Sequence, residues 1–153
     1  MTEYKIRRMT PEDSKELAGL DKLCFSVPWS ENSFCEEAEN ENAVYYVAEC
    51  DGEIIGYIGF WCIIDEGHIT NIAVHPDNRR RKVASRLLET AVKEAVKRKL
   101  ILLTLEVRVS NIAAQGLYNS FGFMEVGKRN KYYREPVEDA VIMTLMLSDT
   151  KDI

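Results

Sequence analysis

Histidine is scarce in this 153-residue chain, limited to His68 and His75, and the four cysteines, Cys24, Cys35, Cys50 and Cys62, never form a C-x-x-C pair. A metal site needs tighter clustering of such ligands, so no metal is expected. The start, Met1-Thr2-Glu3-Tyr4-Lys5, is followed by no apolar signal-type segment. Free thiols in a reducing cytoplasm are therefore expected, not a disulfide framework. Long apolar runs are missing too. The stretch 54–64 is too short to span a bilayer and reads as a buried strand. Positive charge is in deficit, with Lys plus Arg 20 against Asp plus Glu 25, a net of −5. A general nucleic-acid binder needs a basic footprint, so neither nucleic acid nor membrane is an expected partner. Repeats, low-complexity tracts and linkers are also missing. With 46% hydrophobic residues to fill a core, the chain reads as a single domain over 1–153.

What is present is a regular alternation of strand and helix signals. Residues 4–9 alternate as a first strand. Thr10 caps, Pro11 suits a first helical turn and Asp13 completes a capping box, with Leu17, Leu20, Leu23 and Cys24 on one helical face. Ser30 caps a short helix through Glu39. Strands at 43–50 and 53–64 are joined by Asp51-Gly52, a strong hairpin signal. A third strand follows at 67–75, with Asp65-Glu66 as its turn. Pro76-Asp77-Asn78 breaks it, and a long helix is expected over 80–98 with Val83, Leu87, Leu88, Ala91 and Ala95 inward. The strand at 100–109 sends Ile101, Leu103, Leu105, Val107 and Val109 to one side and Thr104, Glu106 and Arg108 to the other. Ser110-Asn111 opens a helix to Ser120 that Gly122 stops. Two last strands are expected at 123–128 and 140–147. The pattern is α+β, a central mixed, mostly antiparallel sheet with helices on both faces.

One loop resists a purely structural reading. Arg79-Arg80-Arg81-Lys82 sits where a strand gives way to a helix. Cations at a helix N-terminus oppose its macrodipole, so local stability does not call for them. A phosphate does, because the free N–H groups of a helix start and basic side chains together cradle an anion. A solvated basic run is an equally good reading of the charges alone.

The segment Ile72-Ala73-Val74 followed by Arg79, Arg80, Arg81, Val83 and Ala84 resembles the acyl-CoA-binding motif of the GNAT superfamily of N-acetyltransferases. Lys82 departs from it, standing where the family usually has a glycine that lets the backbone approach the pyrophosphate. The likeness extends over about 4–147. Pro28-Trp29-Ser30, Leu105-Glu106-Val107-Arg108, Leu117-Tyr118 and Tyr132-Tyr133 are similar to the RimI-type branch, which acetylates the N-terminal alanine of a small-subunit ribosomal protein. The resemblance implies the GNAT acyl-CoA N-acyltransferase fold, acetyl-CoA as co-substrate and a ribosomal protein N-terminus as acceptor. It also implies that Ile72, Ala73 and Val74 hold the pantetheine arm by their backbone. Arg79, Arg80, Arg81, Lys82, Val83, Ala84, Ser85 and Asn111 would bind the rest of the cofactor.

Acyl transfer to an amine needs a base for the nitrogen and a donor for the departing sulfur. Glu106 is the candidate base, the lone acid in an apolar strand, with pairing to a cation such as Arg108 as the alternative. Tyr118 is the candidate acid, two helical turns after Asn111 on the same face, with Ala114 between them leaving room for a ligand. Core packing is its alternative. Trp29, Tyr132 and Tyr133 would line the acceptor side. His75, at the end of its strand, could contact phosphate or be incidental. Two other functions remain open: acetylation of a small amine, which extra carboxylates at the cleft would favour, and a non-catalytic CoA-binding module.

Overall fold

Alternating side chains and tight turns build the first half of the chain into a meander. The computed structural model describes residues 3–79 and 81–147. Strands β1 (Lys5–Arg8), β2 (Ala43–Cys50), β3 (Glu53–Ile63) and β4 (Glu66–Val74) pair antiparallel in succession. Asp51 and Gly52, at φ 53° and 81°, form the two-residue turn between β2 and β3, whose twist matches the strands it joins. The next turn falls on Ile64 and Asp65, one residue earlier than the sequence suggests. Glu66 already pairs with Ile63, which leaves Ile64 at φ 59° and 96% exposed. An isoleucine there reads as strand, and only the pairing register reveals the turn.

Helices α1 (Ser14–Cys24) and α2 (Glu31–Glu39) lie between β1 and β2 in sequence. The Asp13 carboxylate accepts the Thr10 N–H at 2.8 Å, and Ser30 Oγ accepts the Ser33 N–H at 3.1 Å. Both caps were legible beforehand. On α1 the buried face is Leu17, Ala18, Leu20 and Asp21, while Leu23 is 58% exposed, contrary to its expected place on the inner stripe. Helix α3 (Val83–Lys97) carries the chain across to β5 (Leu102–Arg108), which is parallel to β4. Then α4 (Ile112–Ser120) leads to the hairpin of β6 (Met124–Arg134) and β7 (Val137–Met146). These last strands are longer than the expected 123–128 and 140–147. Their polar, exposed residues are held by cross-strand bonding and not by burial.

The seven strands lie in the order β1-β2-β3-β4-β5-β7-β6. Two cores cover opposite faces. Leu87, Leu88 and Ala91 of α3 pack on one with Ile58, Leu103 and Leu105, whereas Leu17, Leu20 and Phe34 pack on the other with Tyr45, Val47 and Tyr57. No helix among the described residues is long and apolar enough to cross a membrane.

Asp21 is the polar exception in the second core. It is wholly buried, and its carboxylate accepts the Trp29 N–H at 2.8 Å and the Tyr57 hydroxyl at 2.6 Å. Burial pushes its carboxyl up, against the two hydrogen bonds that favour the charge. Removing it orphans both donors, and unsatisfied buried groups cost about 1–3 kcal/mol each. Asp21→Ala is therefore expected to lose about 2–4 kcal/mol in urea unfolding. Asp21→Asn, which still offers an acceptor to Trp29 and a donor to the Tyr57 oxygen, should lose clearly less.

Candidate active site

The site begins as a defect in the sheet. Although β4 runs to Val74 and β5 to Arg108, they pair only over Glu66↔Leu102, Gly67↔Leu103 and His68↔Thr104. Just beyond, Thr70 is skipped in the pairing of β4 with β3, where Gly59 meets Asn71 and Phe60 meets Ile69. Such a bulge bends its strand and ends pairing. The Thr70 hydroxyl, at 2.9 Å from the Tyr45 hydroxyl and 3.2 Å from the Gly59 carbonyl, locks it. Strand β5 stays straight because β7 pairs with it along its full length. The two strands therefore part, and a cleft opens between them.

One arm of the cleft is a cavity of about 740 Å³. Ile72, Ala73 and Val74 line it from β4, and Arg79 and Lys82–Ser85 line it from the loop and the start of α3. Asn111, Ala114 and Leu117 face them from α4. Helix α3 starts at Val83, not at Arg80, because Lys82 is left-handed, at φ 62° and ψ 24°. Arg86 is the residue whose N–H closes a turn onto Lys82, at 3.0 Å. The N–H groups of Val83, Ala84 and Ser85 thus precede the helical ladder. Arg79 reaches across to the Val74 carbonyl, 3.3 Å from Nε, and Cys24 Sγ donates to the same carbonyl at 3.5 Å. Arg81 is turned elsewhere: its guanidinium lies over the Tyr4 ring, 5.4 Å from the centroid, and donates to Asn78 at 2.6 Å. Its side chain is not among the residues that line this cavity. Arg80 lies outside the described residues. His75 Nδ1 accepts the Asp77 N–H at 3.1 Å, which gives it a local turn-forming role.

The other arm is a cavity of about 490 Å³ bearing Glu106, Arg108, Tyr132, Tyr133 and Arg134. Glu106 projects opposite Leu105 and Val107, as alternation requires, and its side chain is 10% exposed. Its partners are not Arg108, which binds Glu138 at 3.1 Å. Glu106 Oε1 lies 2.7 Å from His68 Nε2, and Arg129 Nε donates to Oε2 at 3.2 Å. The His68 bond, aided by Arg129, holds the Glu106 carboxyl below its ordinary value against the opposing effect of burial. Burial also raises Tyr133, to about 12.

Cys24, Phe25, Ile72, Asn111, Ala114 and Tyr118 line both arms. Tyr118 therefore stands where they meet. It is 5% exposed, burial drives its phenol well above the ordinary value, and its hydroxyl makes no hydrogen bond among the described residues. Trp29 is the misplaced expectation. Its indole packs on Phe34 and Tyr45, with ring centroids at 5.5 and 6.4 Å, and it lines neither cavity. Its neighbours Phe25, Ser26 and Val27 line the acceptor-side arm instead. Sequence reasoning also missed His68 and Arg129. They approach Glu106 only through strand register and hairpin length, and neither carries a local signal.

A parted parallel pair, a basic helix start and a half-buried carboxylate on β5 are the parts that an acyl-CoA-dependent transferase needs. The Acetyltransferase (GNAT) family model matches residues 14–123, and the chain belongs to that family. A Bacillus subtilis protein provisionally named a [ribosomal protein bS18]-alanine N-acetyltransferase is 39% identical, over 97% of this chain and 99% of the relative. The Escherichia coli (strain K12) [ribosomal protein bS18]-alanine N-acetyltransferase is 36% identical, over 84% of this chain and 88% of the relative. The crystal structure of the ribosomal-protein-S18-alanine N-acetyltransferase from Escherichia coli superposes with a TM-score of 0.88 and 33% identity, covering 95% and 94% of the two chains.

A lysine in the left-handed region carries a strain that glycine does not. Lys82→Gly is expected to raise the unfolding free energy by about 1 kcal/mol, read from the denaturation midpoint at unchanged slope.

Proposed function

We propose that this protein transfers the acetyl group of acetyl-CoA to the α-amine of a protein N-terminus, with the terminal alanine of the ribosomal protein bS18 as acceptor. The reading rests on one observation: the anion-ready arm at α3 and the carboxylate-bearing arm at Glu106 share their lining at Tyr118. A thioester laid in the first arm meets an amine entering by the second. The relatives named above are the source of the acceptor's identity. Such an acceptor places the work in the cytoplasm.

Acetyl-CoA would lie with its phosphates at the N–H groups of Val83, Ala84 and Ser85, beside Arg79 and Lys82. The pantetheine would run along Ile72–Val74, whose edge toward β5 has no strand partner. The amine nitrogen attacks the thioester carbonyl, the C–N bond forms, the nitrogen loses a proton and the C–S bond breaks. An α-amine titrates near ~7.7–8.0, so roughly a tenth is already neutral at pH 7, against about one in two thousand for a lysine near ~10.4. Glu106, held anionic, then has only to take the proton of a nitrogen made acidic by attack, directly or through a water. That modest demand suits a carboxylate of lowered pKa and favours an α-amine over a lysine.

The raised phenol changes the part expected of Tyr118. A phenol at or above ~10 is a weaker acid than a thiol near ~8.5, so outright proton transfer to the thiolate runs uphill. Tyr118 instead donates a hydrogen bond to the sulfur as charge gathers there, and the departing thiolate is protonated by water or by the proton that Glu106 has received from the nitrogen. Glu106 is the single carboxylate among the described lining residues of the acceptor arm, accompanied by Arg108 and Arg134. That balance suits a peptide end and disfavours a polyamine, which would call for several acids.

Glu106→Gln is expected to lower kcat by ~10²–10⁴-fold, and Tyr118→Phe by ~10²–10³-fold. Acetyl-CoA affinity by calorimetry should stay near native in both. Near-native turnover in either variant would remove that residue's assigned role.

The acceptor is tested with a peptide carrying the bS18 N-terminal sequence and labelled acetyl-CoA. Label should appear on the terminal nitrogen, and blocking that nitrogen should abolish it even with lysines present. Equal labelling of the blocked peptide, or efficient labelling of polyamines alone, would overturn the assignment.

A further inference from the structure

His68 sits at the apex of the cleft, in the last residue pair before β4 and β5 part. Across that apex its Nε2 lies 2.7 Å from Glu106 Oε1, the one side-chain bridge between the two strands at that point among the described residues. Glu106 lines the acceptor arm and His68 does not, so the imidazole stands behind the carboxylate. It is held from its other side by the Trp61 ring of β3, edge-on at 6.1 Å between centroids. The Trp61 indole N–H donates in turn to Glu37 of α2. From β6, Arg129 takes the second Glu106 oxygen at 3.2 Å and lies 6.0 Å from the Tyr132 ring centroid. The charged and titratable groups around the dyad are thus Glu106, Arg129, Tyr132, Tyr133 and, through the indole, Glu37. Among the described residues the imidazole makes no other hydrogen bond or ion pair.

We infer that His68 is the positioning residue for Glu106: its Nε2–H aims the carboxylate into the cleft. The inference rests on the reading of Glu106 given above. A glutamate side chain has three free rotations, and among the described residues no backbone donor stops them. The His68 and Arg129 bonds take one oxygen each and leave the outer lone pairs toward the cleft. Neutral imidazole donates from Nε2 while keeping Nδ1 unprotonated. That donated bond fixes one carboxylate oxygen, as the Arg129 bond fixes the other.

The test compares native protein, His68→Gln and His68→Ala with an α-amine peptide at saturating acetyl-CoA. Glutamine can still donate a hydrogen bond to Glu106, whereas alanine cannot. His68→Ala should lose about 10–100-fold in kcat/KM, with acetyl-CoA affinity and Tm unchanged, and His68→Gln should recover most of that loss. Native activity in His68→Ala, or no recovery in His68→Gln, overturns the inference while leaving the proposed function intact. If no terminal amine is acetylated at all, the proposed function fails, and ring-nitrogen NMR of the acetyl-CoA complex still decides on His68. A neutral ring protonated on Nε2 supports the positioning role, and one protonated on Nδ1 overturns it.

Discussion

The constraint on which the rest depends is the failure of β4 and β5 to stay paired. A parallel pair in the middle of a sheet should bond along its length, because unpaired buried backbone groups are costly. Here three pairs form and then the Thr70 bulge turns β4 away, while β7 holds β5 in place. The strand edge left open is a line of backbone donors and acceptors inside the protein, which is what an extended, amide-bearing arm such as pantetheine can satisfy. The same parting lets a residue on one face of β5, Glu106, share a cleft with Tyr118 on α4, whose helix packs on the other face.

Electrostatics divides that cleft by task. At the α3 end, Arg79 and Lys82 flank the N–H groups of the helix start, an arrangement suited to an anion. At the acceptor end, one carboxylate is held between an imidazole and a guanidinium, so it stays charged although its side chain is 10% exposed. Between them stands a phenol that burial keeps protonated. In the proposed reaction such a donor, without a hydrogen-bond partner among the described residues, would stand where charge develops and cost no reorganisation. Lys82 shows the reverse compromise. It adopts a glycine-like conformation at φ 62°, and the strain is accompanied by a positive charge beside the helix start. The turn geometry is therefore a requirement of the fold at this point, met here by a residue that pays for it in backbone energy.

Much of this architecture was legible locally. The Thr10–Asp13, Ser30 and Asn111 caps, the Asp51-Gly52 turn and the inward stripe of α3 each rest on interactions within a few residues. The structure has them where the pattern put them. The misses share a cause. Leu23 and Ile64 are apolar residues left in solvent, and Trp29 and Arg81 are long side chains with more than one surface in reach. Their fates turn on which neighbour arrives from a distant segment: Phe34 and Tyr45 for Trp29, Tyr4 and Asn78 for Arg81.

By itself, then, the sequence determined the elements, the α+β class and the basic strand-to-helix turn. These depend on periodicity, capping and turn preferences that act over a few bonds. The resemblance it carries to the acetyltransferase family pointed to Glu106 and Tyr118 before any contact was known. Only the tertiary structure decided that these two share one cleft, that Glu106 pairs with His68 and Arg129 in place of Arg108, and that Lys82 is left-handed. The pairing of Glu106 follows from the register of strands far apart in the chain, the shared cleft from how α4 packs beside the parted strands, and the Lys82 conformation from how the loop joins β4 to α3. A one-residue slip sends a side chain to the opposite face, and no local preference records the register.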